Sequence, residues 1–172
     1  MAGKINLLGH PVHPMVVVFP LGLLSGAVGC DILFLVFGKA HWAHMAYWLI
    51  AGGVLSGLFA AIFGFADWLA LPAGTRAKRI GLWHAAVMDI VIVLFAISWW
   101  LRRSNPDTPA LISIGLGIVA LCFALLGGWL GGELVYRLSV GVDFEAHVNS
   151  PSSLSTRPAS DNKETLPASQ RG

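Results

Sequence analysis

What this chain has least of is charge. Asp, Glu, Lys and Arg make up 12% of its 172 residues, where soluble domains carry about a quarter. The net charge of +2 is spread over short polar stretches with no basic run, which excludes the electrostatic footprint of a nucleic-acid-binding surface. Cysteine is almost as scarce. Cys30 and Cys122 lie inside apolar runs, where a thiol behaves as a small hydrophobe. Neither belongs to a C-x-x-C or C-x-x-C-H pattern, which argues against c-type haem. The first apolar run also lacks a following A-x-A site and is too long for a signal h-region, so it is expected to persist as a span.

Hydrocarbon fills the place of charge: 56% of residues are hydrophobic and the mean hydropathy is +0.72. Crossing a bilayer takes about 20 apolar residues as helix, and the stretches 15–37, 45–71, 81–101 and 110–136 are long enough. They are too long for strands, and their short connections make neighbours antiparallel. The expected fold is an all-α integral membrane protein, an antiparallel up-down bundle of four transmembrane helices within 1–148, surrounded by the lipid bilayer. From 149 to 172 the chain turns rich in Ser and Pro, a polar tail expected to be largely disordered. Trp42, Trp48, Trp68, Trp83, Trp99 and Trp100 fall near segment ends, as an interfacial belt requires. Lys4, Arg76, Lys78, Arg79 and Arg137 fall on one side of the bundle and Lys39, Arg102 and Arg103 on the other. The positive-inside rule then puts both termini in the cytoplasm.

Small residues recur at helical spacing: Gly53, Gly57, Ala60, Gly64 and Asp67 on the second helix, Gly117, Ala120, Ala124, Gly128 and Gly131 on the fourth, Gly22 and Gly26 on the first. Such stripes let helices approach closely in lipid, within the bundle or in a homo-oligomer.

The stretch that constrains function most is His10-Pro11-Val12-His13-Pro14, directly ahead of the first apolar run. Each proline disfavours helix for the residue before it and lacks an N–H, so both histidines are predicted in an extended approach to the membrane. Threading the bundle gathers His10, His13, Asp67, His84, Glu133, Arg137, Asp143, Glu145 and His147 on one face, and leaves Asp31, His41, His44, Arg102 and Arg103 on the other. Neutral imidazole is the commonest transition-metal ligand, and b-type haem needs two imidazoles from different elements. His13 and His84, at similar depth, are the first candidates to hold haem b or a transition metal, with His10 and His147 weaker ones. In the alternative reading these imidazoles cap helix ends at the headgroup level. Asp67 is either a functional carboxyl or a hydrogen-bond partner of Arg76, Arg79 or the His-Pro turn. Asp89, near mid-bilayer, is the costliest charge unless protonated or paired. Glu133 and Arg137, four apart, predict a local ion pair, and His41 and His44 read as surface residues.

Several of these stretches together resemble a known family. They are Gly-His-Pro-Val-His-Pro-Met from Gly9, Phe19-Pro20-Leu21-Gly22, Asp67-Trp68-Leu69-Ala70-Leu71-Pro72 running into Gly74-Thr75-Arg76-Ala77-Lys78-Arg79, Gly81-Leu82-Trp83-His84, and Gly128-Trp129-Leu130-Gly131-Gly132-Glu133-Leu134-Val135. The chain is similar in this order of motifs, from about Gly9 to Leu154, to a bacterial four-helix membrane-protein family labelled domain of unknown function 2231. The resemblance implies a four-helix fold in the bacterial inner membrane and marks His10, His13, Asp67, His84 and Glu133 as the family-like polar positions. Some relatives are joined to Rieske-type iron-sulfur domains, which implies electron transfer. Many carry His where Val18 and Leu138 stand here, so a site built on those imidazoles is incomplete in this chain. The segment from Ala146 to Ser155 also looks family-like.

Three function classes follow. The first is an accessory or anchor component of a membrane redox system, with a redox or membrane protein partner and haem or a metal at the one-sided histidines. The second is a small proton-coupled transporter or channel using Asp67 and Asp89, and the third a purely structural membrane subunit. No catalytic residue is assigned, and an enzyme is the less expected class.

Overall fold

A computed structural model describes residues 5–162. The chain opens with a two-stranded hairpin, β1 (Asn6–Leu7) and β2 (His10–Pro11), and continues into α1 (Val12–Val16) and α2 (Val18–Phe37). Then come α3 (Ala40–Ala70), α4 (Arg76–Arg102), α5 (Leu111–Gly132) and a π-helical turn over Glu133–Arg137. Val12–Phe37, Ala40–Ala70, Arg76–Arg102 and Leu111–Arg137 are each long and apolar enough to cross a membrane. The four-helix expectation holds, and the protein is an all-α, multi-pass membrane bundle.

Where the helices outrun the apolar stretches, local chemistry explains it. α2 stops at Gly38, which adopts the left-handed conformation at φ 63° and donates its N–H to Phe34 O at 2.8 Å. Only Gly38 and Lys39 separate α2 from α3. Thr75 caps α4 by accepting the Lys78 N–H at 3.2 Å. The polar Arg76, Lys78 and Arg79, which hydropathy alone reads as loop, therefore form the first turn of a spanning helix. The extended approach predicted for the His-Pro motif is confined to His10 and Pro11. His13 is helical, because Pro14 falls in the first turn of α1, where a backbone N–H has no intrahelical partner to lose. Pro20 leaves Val16 O without its donor and marks the break between α1 and α2. The chain stays helical across it through Val17 N–H to His13 O and Leu21 N–H to Val17 O.

α2 packs chiefly on α3 and α4 on α5, and the two helical hairpins meet along the lighter α3–α4 and α2–α5 seams. They carry one buried pattern. Pro20, Leu24, Ala27 and Asp31 of α2 and, 71 residues on, Val91, Phe95, Ser98 and Arg102 of α4 are all buried. Ala46, Ile50, Gly53 and Ala60 of α3 match Ser113, Gly117, Ala120 and Gly127 of α5, here 67 residues on, and are likewise all buried. This is an internal repeat of two-helix units that run in the same direction, the arrangement related by an axis along the membrane normal.

Equivalent residues of α2 and α4 meet across the bundle. At the end away from the His-Pro motif, Arg102 Nη1 and Nη2 donate to the two carboxylate oxygens of Asp31 at 2.6 and 2.7 Å. Nη2 also reaches Ser113 O at 3.1 Å, an oxygen that accepts the Ser98 hydroxyl at 2.6 Å. Both charged side chains are sealed off, at 0% and 2% exposure. A bidentate fork of this kind fixes the relative height of the two hairpins as well as neutralising both charges.

After the π-helical turn the chain folds back in turns. In the part of the expected disordered tail that is described, 149–162, the Ser150 hydroxyl donates to Ala159 O at 2.7 Å and Arg157 pairs with Asp161 at 2.9 Å. Ser153 lies against Gly9 of the hairpin. The remainder of that tail, 163–172, lies outside the described residues.

Replacing Asp31 by Ala leaves the Arg102 guanidinium buried without a counter-charge, and is expected to cost about 3–5 kcal/mol. Thermal unfolding in detergent should show a large drop for Asp31→Ala. The double change Asp31→Asn with Arg102→Gln should cost less than the sum of the single changes, and strict additivity would show that the pair is not coupled.

Candidate two-histidine site

At the opposite end of the bundle the repeat brings two imidazoles together. His13 lies in the first turn of α1 and His84 in the third turn of α4, again 71 positions apart, and both are half-buried. Their ring centres are 6.4 Å apart with the planes at 88°.

Each ring is anchored in the same way. The Nδ1–H of His13 donates to Ala60 O at 3.0 Å, and that of His84 to Gly127 O at 2.9 Å. A helical carbonyl already accepts the N–H four residues on, and the side chain at that position ordinarily screens the oxygen. Here the positions four residues on are Gly64 and Gly131, and the imidazoles occupy the space that their side chains would fill. A Cβ at Gly64 would lie 2.8 Å from His13 Cε1, and one at Gly131 would lie 3.4 Å from His84 Cε1. The small-residue stripes therefore serve the site as well as the packing. Donation from Nδ1 fixes the tautomer of a neutral ring and leaves the Nε2 lone pair of each histidine for a ligand.

The surrounding polar residues form a clasp between the end of α3, the start of α4 and the end of α5. Arg76 donates to Glu133 at 2.6 Å, in place of the local Glu133–Arg137 pair expected from their spacing. The reason is the π-helical turn over Glu133–Arg137, whose wider i→i+5 repeat takes residues four apart out of line. Lys78 Nζ donates to Trp68 O at 2.6 Å and lies 3.9 Å over the Trp68 ring, while Trp68 Nε1–H donates to Lys78 O at 3.0 Å. Asp67, half-buried, continues the Ala60–Gly64 stripe.

The other sequence candidates fall elsewhere. His10 stays in the hairpin, its Nδ1 3.3 Å from Leu8 O, and His147 contacts Asp161 O at 3.0 Å within the C-terminal turns. Asp89 is exposed on the outer surface of α4. His44 pairs with Asp107 at 2.8 Å at the far end. Sequence reasoning missed three features: the Asp31–Arg102 pair, the two acceptor carbonyls, and Gly127. It is Gly127 that packs against Met88, whereas Gly128, placed on the stripe by spacing, faces open space. The available signal was the repeat itself, since Ala60 with Gly64 recurs as Gly127 with Gly131. Among the described residues there is no group of three or more His, Cys, Asp or Glu that could hold a metal ion.

An added methyl at Gly64 must displace the His13 ring, so Gly64→Ala is expected to destabilise by about 1–3 kcal/mol, the usual range for overpacking. Gly128→Ala, with nothing within 4 Å, should be neutral or stabilising through helix propensity. Unfolding midpoints in detergent check the contrast, and equal effects at both positions would contradict the cradle.

No solved structure matches this chain. Residues 9–144 match the family model described as predicted membrane protein DUF2231, most of the chain and all four spans. The chain belongs to the DUF2231 family of predicted membrane proteins.

Proposed function

We propose that this protein is an anchor or accessory component of a membrane redox system, and that His13 and His84 would hold haem b. The observation that carries this reading is the pair of imidazoles with ring centres 6.4 Å apart, each tied by Nδ1–H to a backbone carbonyl. Metal-ligating histidines nearly always donate their other ring N–H in this way, which orients the ring and raises the basicity of the ligating nitrogen. An imidazole nitrogen binds a transition metal at about 2.0–2.1 Å, so two rings on opposite sides of one ion have centres roughly 6 Å apart.

The count of ligands favours haem over a bare ion. A tetrahedral ion wants four donors, and no third His, Cys, Asp or Glu joins the pair among the described residues. Haem brings ring nitrogens of its own to its iron, so His13 and His84 alone would suffice to hold it. Bound haem would supply one-electron transfer, at a potential set by its axial ligands and burial. The chain's own contribution is to orient both rings through their Nδ1–H bonds and surround the pair with helices.

The charge distribution supports cytoplasmic termini and an inner-membrane setting. Arg102 is consumed by Asp31, which leaves Lys39 and Arg103 on the far side against Lys4, Arg76, Lys78, Arg79 and Arg137 on the histidine side. The proton-coupled reading draws less support, because Asp89 lies on the outer surface while Asp67 follows the inner stripe.

Purified in detergent from haem-replete cells, the protein should show a haem Soret band and a reduced-minus-oxidised difference spectrum. His13→Ala and His84→Ala should each abolish axial ligation by two imidazoles while helical content is retained. A colourless, metal-free preparation overturns the proposal. If such a preparation brings a stoichiometric partner with it, the structural-subunit reading takes its place.

A further inference from the structure

The bundle accounts for its polar residues at both ends but leaves one in the middle. Asp89 is the midpoint of α4, thirteen residues from Arg76 and from Arg102, so about 20 Å from either end at 1.5 Å per residue. It is exposed, and no hydrogen bond or ion pair holds it among the described residues. In a single copy of the chain its carboxyl would face the hydrocarbon five residues, about 8 Å, inside the level of His84, where ionisable side chains are costly and almost always turn toward protein. α4 is also the least covered of the four spans. Of the small-residue stripes, the glycines of α3 and Gly131 of α5 are used internally, since Gly53 meets Leu24, Gly57 meets Ile92, and Gly64 and Gly131 meet the histidines, while Gly22, Gly26 and Gly128 face outward without a carboxyl beside them.

We infer that the outer face of α4 is a dimer interface, and that its occupant is α4 of a second copy with Asp89 meeting Asp89. Two copies inserted in the same orientation are related by a two-fold axis along the membrane normal, and their interface is isologous. Parallel α4 helices packed about that axis bring Asp89 opposite itself at the same depth. A carboxylic acid offers both a donor and an acceptor, so the group complementary to one Asp89 is another. The alternative of an opposite charge is not available from a second copy, because no Lys, Arg or His lies near the middle of any span. The surrounding surface fits a helix seam. Leu82, Ala86, Asp89 and Val93 recur at gaps of four, three and four, all exposed, the spacing of left-handed helix packing. Ala85 and Ala86 keep the backbone accessible within one turn of the carboxyl.

The test uses the full chain reconstituted in lipid bilayers, labelled for single-molecule photobleaching over a range of protein-to-lipid ratios. Wild type should dimerise. Asp89→Leu should weaken dimerisation on the order of tenfold, as expected for the loss of paired hydrogen bonds between membrane helices. Asp89→Asn, whose carboxamide still donates and accepts, should retain most of it. With Cys30 and Cys122 replaced by Ala, Ala86→Cys should cross-link between copies, and Leu125→Cys on α5 should not. A wild-type protein that stays monomeric at every density overturns the inference, as does dimerisation unchanged by Asp89→Leu. Capture of a different protein by Ala86→Cys, without self-cross-linking, would assign the face to that partner and equally overturn it.

Discussion

In hydrocarbon, an apolar side chain gains little by exchanging lipid for protein, so helices must be held by close packing and by polar groups that find one another inside. This constraint organises the whole molecule. Two hairpins with the same buried pattern meet across an axis, and equivalent residues of α1 or α2 and of α4 close the bundle at each end. At one end the partners are Asp31 and Arg102, fully sealed and bidentate. At the other they are His13 and His84. His13 and Asp31 are eighteen residues apart on nearly continuous helix, so the two contacts lie about 27 Å apart, close to the thickness of the bilayer core. One repeat thus supplies a charge lock near one membrane surface and an imidazole pair near the other.

Glycine links packing to chemistry. A spanning helix satisfies its own backbone and ordinarily offers a neighbour nothing to bond to. At Ala60 and Gly127 it does offer something, because the residue four positions on has no side chain to cover the oxygen. The carbonyl then accepts twice, from the backbone of its own helix and from an imidazole of the next one. The same contact that locks α1 to α3 and α4 to α5 also fixes which nitrogen of each histidine remains basic. Helix packing and the orientation of the two imidazoles therefore share the same atoms, and a change that loosens the cradle frees the rings.

Much of this was legible in the residues. Four spans, their antiparallel order and the similar depth of His13 and His84 follow from hydropathy and threading, since those depend only on length and connectivity. The true helix starts did not, because polar first turns such as Arg76–Arg79 lie outside any apolar window, and because proline in a first turn is compatible with helix. Asp31 and Arg102 could be placed on one side of the membrane, but pairing them needs the azimuth of both helices, which spacing on one helix does not supply. The repeat was obscured by its own divergence. Equivalent positions hold opposite charges in Asp31 and Arg102, and Ala60 and Gly127 matter through a backbone oxygen that any residue possesses. Choosing Gly128 over Gly127 was an error of one residue, equal to about 100° of helix rotation.

The central claim is that two imidazoles, both protonated at Nδ1, present Nε2 to a shared ligand. The most direct measurement is solid-state nitrogen NMR of histidine-labelled protein in lipid bilayers, before and after haem is added, with assignments from His13 and His84 variants. The account predicts the Nδ1–H tautomer for both residues, and a change at both Nε2 resonances on loading. Protonation at Nε2 in the haem-free protein, or resonances that do not respond to haem, would contradict it.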